Sequence, residues 1–65
     1  MRIWLIAEGR YYEDRTIVVE CHTTKSGAER ATRAAGFKYS VDEGFFCNDT
    51  SKYYRKIRAI QLQKQ

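Results

Sequence analysis

Sixty-five residues, 43% of them hydrophobic and 14% aromatic, describe one small folded domain spanning residues 1–65 and exclude a disordered chain. The formal net charge of +4 is local: residues 1–51 carry seven Lys/Arg against eight Asp/Glu, whereas residues 52–65 carry Lys52, Arg55, Lys56, Arg58 and Lys64 and no acid. The apolar stretch Ile3–Ala7 is far short of the ~20 residues of a membrane span and lacks the build of a signal peptide, so a soluble, cytoplasmic protein is expected.

The chain opens with a strand over Arg2–Glu8, with Ile3, Leu5 and Ala7 on one face and Trp4 and Ile6 on the other. Gly9–Asp14 is a polar and aromatic connection. A second strand, Arg15–Cys21, holds the β formers Thr16, Ile17, Val18 and Val19, and the short connection makes the pair an antiparallel hairpin. Thr23 or Thr24 then caps a helix over Lys25–Ala35, because a threonine hydroxyl accepts from an orphan amide of the first turn. Ala28, Ala31 and Ala35, with Thr32 beside them, form a small-residue stripe that brings the helix close to a sheet. Gly36 supplies the left-handed residue that ends it.

Phe37–Val41 reads as a strand, Asp42-Glu43-Gly44 as a turn, and Phe45–Cys47 as the other arm of a hairpin. Asn48-Asp49-Thr50-Ser51 reads as a second turn, Tyr53–Leu62 as the final strand, and Gln63–Gln65 as a frayed end. The final strand is irregular in period, since Ile57 and Ala59 alternate with each other but not with Ile60 and Leu62; a bulge or two buried faces would account for it. The fold class is therefore α+β, a small antiparallel sheet in the order β-β-α-β-β-β with one helix on a face. Leu5, Ile17, Val19, Phe37, Phe46 and Ile57 are the expected core.

No catalytic constellation stands out. His22 is the one imidazole and sits at a strand end, the adjacent carboxylates Asp42 and Glu43 fall in an exposed turn, and Gly9, Gly27, Gly36 and Gly44 lack phosphate-loop spacing. Cys21, His22 and Cys47 are too few for a zinc site, and neighbouring strand residues point apart, so no metal or other cofactor is expected and the two cysteines read as free thiols.

Binding chemistry is better represented. On an extended strand Tyr54, Lys56 and Arg58 project to one side while Tyr53, Arg55 and Ile57 project to the other, giving a Tyr-Lys-Arg stripe suited to stacking and to phosphate neutralisation. A row of Lys and Arg is also how an edge strand blocks unwanted pairing. Arg10, Tyr11 and Tyr12 form a second anchor-rich segment, in which one tyrosine covers the core and its neighbour is free, and Glu13 and Asp14 with Glu8 and Glu20 make an acidic counter-patch. The candidate partner-binding residues are Arg10, Tyr11, Tyr12, Tyr53, Tyr54, Arg55, Lys56 and Arg58.

In layout, Ile3-Trp4-Leu5-Ile6, Glu8-Gly9-Arg10-Tyr11, Ile17-Val18-Val19, Thr23-Thr24 with Ala28-Glu29, Gly36-Phe37-Lys38-Tyr39 and Ile57-Arg58-Ala59-Ile60-Gln61-Leu62 together resemble small bacteriophage-encoded accessory proteins, anti-CRISPR proteins among them. The resemblance implies a non-enzymatic, stoichiometric inhibitor of a host defence or nucleic-acid-processing complex, acting by surface occlusion in the bacterial cytoplasm. Its partner would be a host protein or ribonucleoprotein, with a nucleic-acid-binding module as the alternative. Many such inhibitors are acidic and imitate DNA; a sequence pI near 9.3 argues against global DNA mimicry here. A final strand left at the edge of the sheet would permit a homodimer as well as a monomer.

Overall fold

The first strand decides what lies on each side of the sheet. In the computed structural model, which describes residues 1–48 and 52–62, β1 (Arg2–Arg10) and β2 (Thr16–His22) form a hairpin. The helix α1 (Lys25–Ala34) crosses over, and β3 (Phe37–Ser40), β4 (Phe45–Asn48) and β5 (Tyr53–Gln61) follow. The strands make one five-stranded sheet in the order β2-β1-β5-β4-β3, each neighbour pair antiparallel. This is the α+β class and the chain order expected from the sequence. The expected turn at 48–51 and the frayed end at 63–65 lie largely outside the described residues; Asn48 itself closes β4, and its Oδ1 accepts from the amides of Lys52 and Tyr53 at 3.2 and 3.4 Å.

The helix starts where the threonines predict. Thr24 is the cap, and its Oγ1 accepts from the Gly27 amide at 3.0 Å. It ends through Ala35 into Gly36, whose φ of 94° is the left-handed conformation that a Cβ disfavours. Only part of the small-residue stripe is used: Ala28 and Thr32 are fully buried, Ala31 is half-buried and Ala35 is exposed. Thr32 satisfies its buried hydroxyl within the helix by donating to the Ala28 carbonyl at 2.9 Å.

Because Ile6 faces the helix, so do Trp4 and Glu8, and the register carries the same side onto Ala59, Ile57 and Arg55 of β5 and onto Phe46 of β4. The core is Ile6, Ala28, Phe37 and Phe46 around Thr32. Phe37 and Phe46 were expected there and Ile57 is half-buried beside Ile6, but Leu5 and Ile17 were not correctly placed. Leu5 has the opposite parity from Ile6 and lies on the face the helix does not cover. Ile17 is 59% exposed because β2 is an edge strand that one ten-residue helix does not fully reach, and Val19 is only half-buried.

Two further expectations need correcting. The final strand is not an edge: β5 lies between β1 and β4, and the edges are β2 and β3. Nor does β5 carry the irregularity. It pairs with β1 without interruption from Arg2↔Gln61 to Arg10↔Tyr53, and the register shift falls instead on the β1–β2 pairing between Ile6 and Ala7, opposite Glu20 and Val18. Ile60 and Leu62 break the apolar period because they face the uncovered side, where they are 37% and 43% exposed.

Candidate functional site

The sheet has a second face that, among the described residues, no helix covers. Strand alternation places Ile3, Leu5, Ala7 and Gly9 of β1 there, with Tyr54, Lys56, Arg58 and Ile60 of β5 beside them. Phe45 and Cys47 of β4, Lys38 of β3, and Cys21 and Val18 of β2 extend it to both edges. The strands carry two carboxylates, Glu8 and Glu20, and both lie on the helix side. Lys38, Lys56 and Arg58 therefore share the open face with no strand-borne acid, and Glu29 of the helix lines the same groove as Lys56 and Arg58.

One end of this face is an aromatic cluster. Tyr11 folds back from the β1–β2 loop so that its ring lies 5.5 Å from Tyr54 and 6.2 Å from Phe45, and Phe45 and Tyr54 are 5.1 Å apart, all in tilted or edge-on arrangements. The Tyr11 hydroxyl meets Cys47 Sγ at 2.8 Å, and its backbone amide donates to the Lys52 carbonyl at 3.3 Å. That hydrogen bond to Cys47, reinforced by desolvation, pushes the Tyr11 phenol up to about 12. Gly9 makes room for the cluster: a Cβ there would stand 2.7 Å from Tyr54 Oη and 3.0 Å from Thr16 Cγ2. Lys56 Nζ sits 5.3 Å from the Phe45 centroid and 5.5 Å from that of Tyr54, so a cation and two π faces occupy one spot.

The residues singled out from sequence divide into three groups. Tyr11, Tyr54, Lys56 and Arg58 come together on the open face. Tyr12 is 97% exposed at the loop tip, the free member of the tyrosine pair, and Arg10 stacks over Tyr53 at 5.4 Å on the helix side, with Glu13 3.7 Å from its guanidinium. Arg55 is largely covered rather than displayed. Its side chain is 12% exposed, its Nε donates to Glu8 at 2.8 Å, its Nη1 lies 3.6 Å from Glu20 without a hydrogen bond, and its guanidinium stands 4.6 Å over Phe37. Arg55 thus engages Glu8 and Glu20 and takes these two out of the expected acidic counter-patch. Phe45, Cys47 and Lys38 are the members sequence reasoning missed; their alternation was visible, but the neighbours of β4 and β3 were not.

Elsewhere the chemistry is sparse. His22 Nε2 is 3.2 Å from Glu20, but Cys21 points to the opposite face and Cys47 lies three strands away, so neither thiol meets the imidazole. Both cysteines are free. Beyond Phe46 and Cys47 the register gives β4 no further partner on β5, and a groove of about 510 Å³ opens there, lined by Lys25, Glu29 and Arg33 of the helix and reaching Phe45, Lys56 and Arg58 of the open-face set. Its charges are mixed, with Arg33 3.9 Å from Glu29. No helix among the described residues is long and apolar enough to cross a membrane. Comparison with protein-family models, with curated proteins and with solved structures finds no match.

Proposed function

We propose that this is a non-enzymatic binding protein whose open sheet face docks on an anionic surface and acts by covering it. One observation carries the reading: both strand carboxylates lie on the helix side, together with Arg2, Arg10 and Arg55, which leaves Lys38, Lys56 and Arg58 without a strand-borne acid beside an aromatic cluster on the uncovered side. A strand-built platform holds these groups in fixed register, and fixed aromatic and cationic side chains are the anchors that carry most of the energy at binding surfaces. Occlusion of a host defence or nucleic-acid-processing complex, the mode of the phage-encoded inhibitors the layout resembles, is the biological role we assign to this face.

Heparin, a generic polyanion, tests the assignment of the face. The Tyr54→Ala/Arg58→Ala protein is compared with Tyr12→Ala/Arg30→Ala, which removes the same residue types from the loop tip and the outer side of α1, both exposed. With thermal melts confirming that both fold, the first should elute from heparin at clearly lower salt than the second. Elution of both at the same salt would show that retention reflects net charge alone and would remove the open face from the account.

A further inference from the structure

We infer that the ligand of the open face is single-stranded nucleic acid, an inference that rests on the reading of that face as the docking surface. An acidic polypeptide matches the cations but brings nothing regular to set against three clustered rings. A nucleotide brings an anion and a π face joined at short range. The structure presents the complement at one spot, where Lys56 Nζ stands 5.3 Å from the Phe45 ring and 5.5 Å from the Tyr54 ring. A phosphate drawing Lys56 aside uncovers the rings for the attached base, and stacking on them is tolerant of sequence because every base has a π face.

The layout along β5 extends the match. Tyr54, Lys56 and Arg58 alternate on one strand and so project from it at steps of about 6.6 Å, in line and in register. From Tyr54 to Ile60 the strand runs about 20 Å, room for about four nucleotides, the low end for a sheet-built single-strand module. Tyr11 is held by Cys47 and the Lys52 carbonyl, so its ring is oriented before a ligand arrives. The single strand is favoured over the duplex because only unstacked bases offer their π faces to the rings. Base edges in a double helix are reached by an element entering a groove, and the one helix of the described residues packs on the far side of the sheet.

The experiment is fluorescence anisotropy at low salt with labelled oligothymidylate and oligouridylate of about eight nucleotides, a DNA duplex of the same length, and retention on immobilised poly-glutamate. Wild type is compared with Lys56→Glu/Arg58→Glu, with Tyr54→Ala, and with the charge-matched control Arg15→Glu/Arg30→Glu. The inference expects wild type to bind the single strands more tightly than the duplex, and Lys56→Glu/Arg58→Glu to lose at least about tenfold while the control keeps its affinity. Tyr54→Ala should lose about fivefold or more with its melt preserved. The log–log salt slope on single strands should be about −1.4, for two phosphates at ~0.7 each. Equal binding of duplex and single strand, or loss in the control as large as in Lys56→Glu/Arg58→Glu, overturns the inference. Retention on poly-glutamate that depends on Lys56 and Arg58, with no affinity for either oligonucleotide, overturns it too but leaves the docking face standing. Absence of both kinds of binding removes the face as well.

Discussion

Replacing Arg55 with methionine should destabilise this fold more than any other change in the basic segment, although the sequence groups it with exposed cations. Arg55 links β5 to β1 through Glu8 at 2.8 Å, approaches Glu20 on β2 at 3.6 Å, and covers Phe37 at 4.6 Å. Breaking a fully buried pair by removing one partner costs about 3–5 kcal/mol, and an exposed pair is worth at most about 1 kcal/mol. Arg55 is 12% exposed and Glu8 26%, but Glu20 is 43% exposed and recovers water when its partner leaves. The loss therefore falls near 2–3 kcal/mol. For a chain of 65 residues whose total stability is about 3–10 kcal/mol, that lowers the melting temperature by about 10–20 °C. Urea and thermal unfolding followed by the fluorescence of Trp4, the single tryptophan, give the number. The double variant Glu8→Met/Arg55→Met should recover much of the loss, because the stranded carboxylate is then gone. A single variant within about 0.5 kcal/mol of wild type would refute the reasoning, and a double variant no better than the single would refute the attribution to Glu8.

Two further outcomes follow from the aromatic cluster. Gly9→Ala puts a methyl group 2.7 Å from the Tyr54 hydroxyl, so the ring must swing away; the variant should fold with a loss of about 1–3 kcal/mol and an altered near-ultraviolet dichroism, and a protein indistinguishable from wild type would mean that the cluster is loosely held. Tyr11 should ionise late, near 12 against an ordinary 10.0, because its hydroxyl is bonded to Cys47. A raised phenol stabilises the fold fully below the unfolded value and gives that stability up as pH climbs from about 10 to about 12. Spectrophotometric titration should thus show one late phenolate that moves down in Cys47→Ala; five tyrosines titrating together would contradict the hydrogen bond.

Local chemistry was legible wherever a residue acts on its own neighbourhood. A threonine cap, the left-handed Gly36, the two hairpins and the exposure of one of the two loop tyrosines follow from sequence because each depends on a few adjacent positions, whereas Tyr11 packs on the open face and not over the core as expected. The Tyr54-Lys56-Arg58 stripe was legible for the same reason: alternation along a strand is local. What stayed hidden required knowing which strands are neighbours. Leu5 and Ile6 sit in a strand apolar on both faces, so parity alone does not say which face the helix takes. The place of β5 in the middle of the sheet, which turns Arg55 from a displayed cation into the partner of Glu8, is set by pairing between residues 47 apart in the chain. The bulge followed the same logic, appearing in β2 where an edge strand yields more easily than a central one.

The most direct test of the open face is an amide ¹H–¹⁵N correlation spectrum recorded while unlabelled oligothymidylate is titrated into labelled protein. The account predicts shifts concentrated at Leu5, Tyr11, Cys47, Tyr54, Lys56 and Arg58, with the helix Lys25–Ala34 unmoved. Shifts centred on the helix, with Tyr54, Lys56 and Arg58 unmoved, would contradict it.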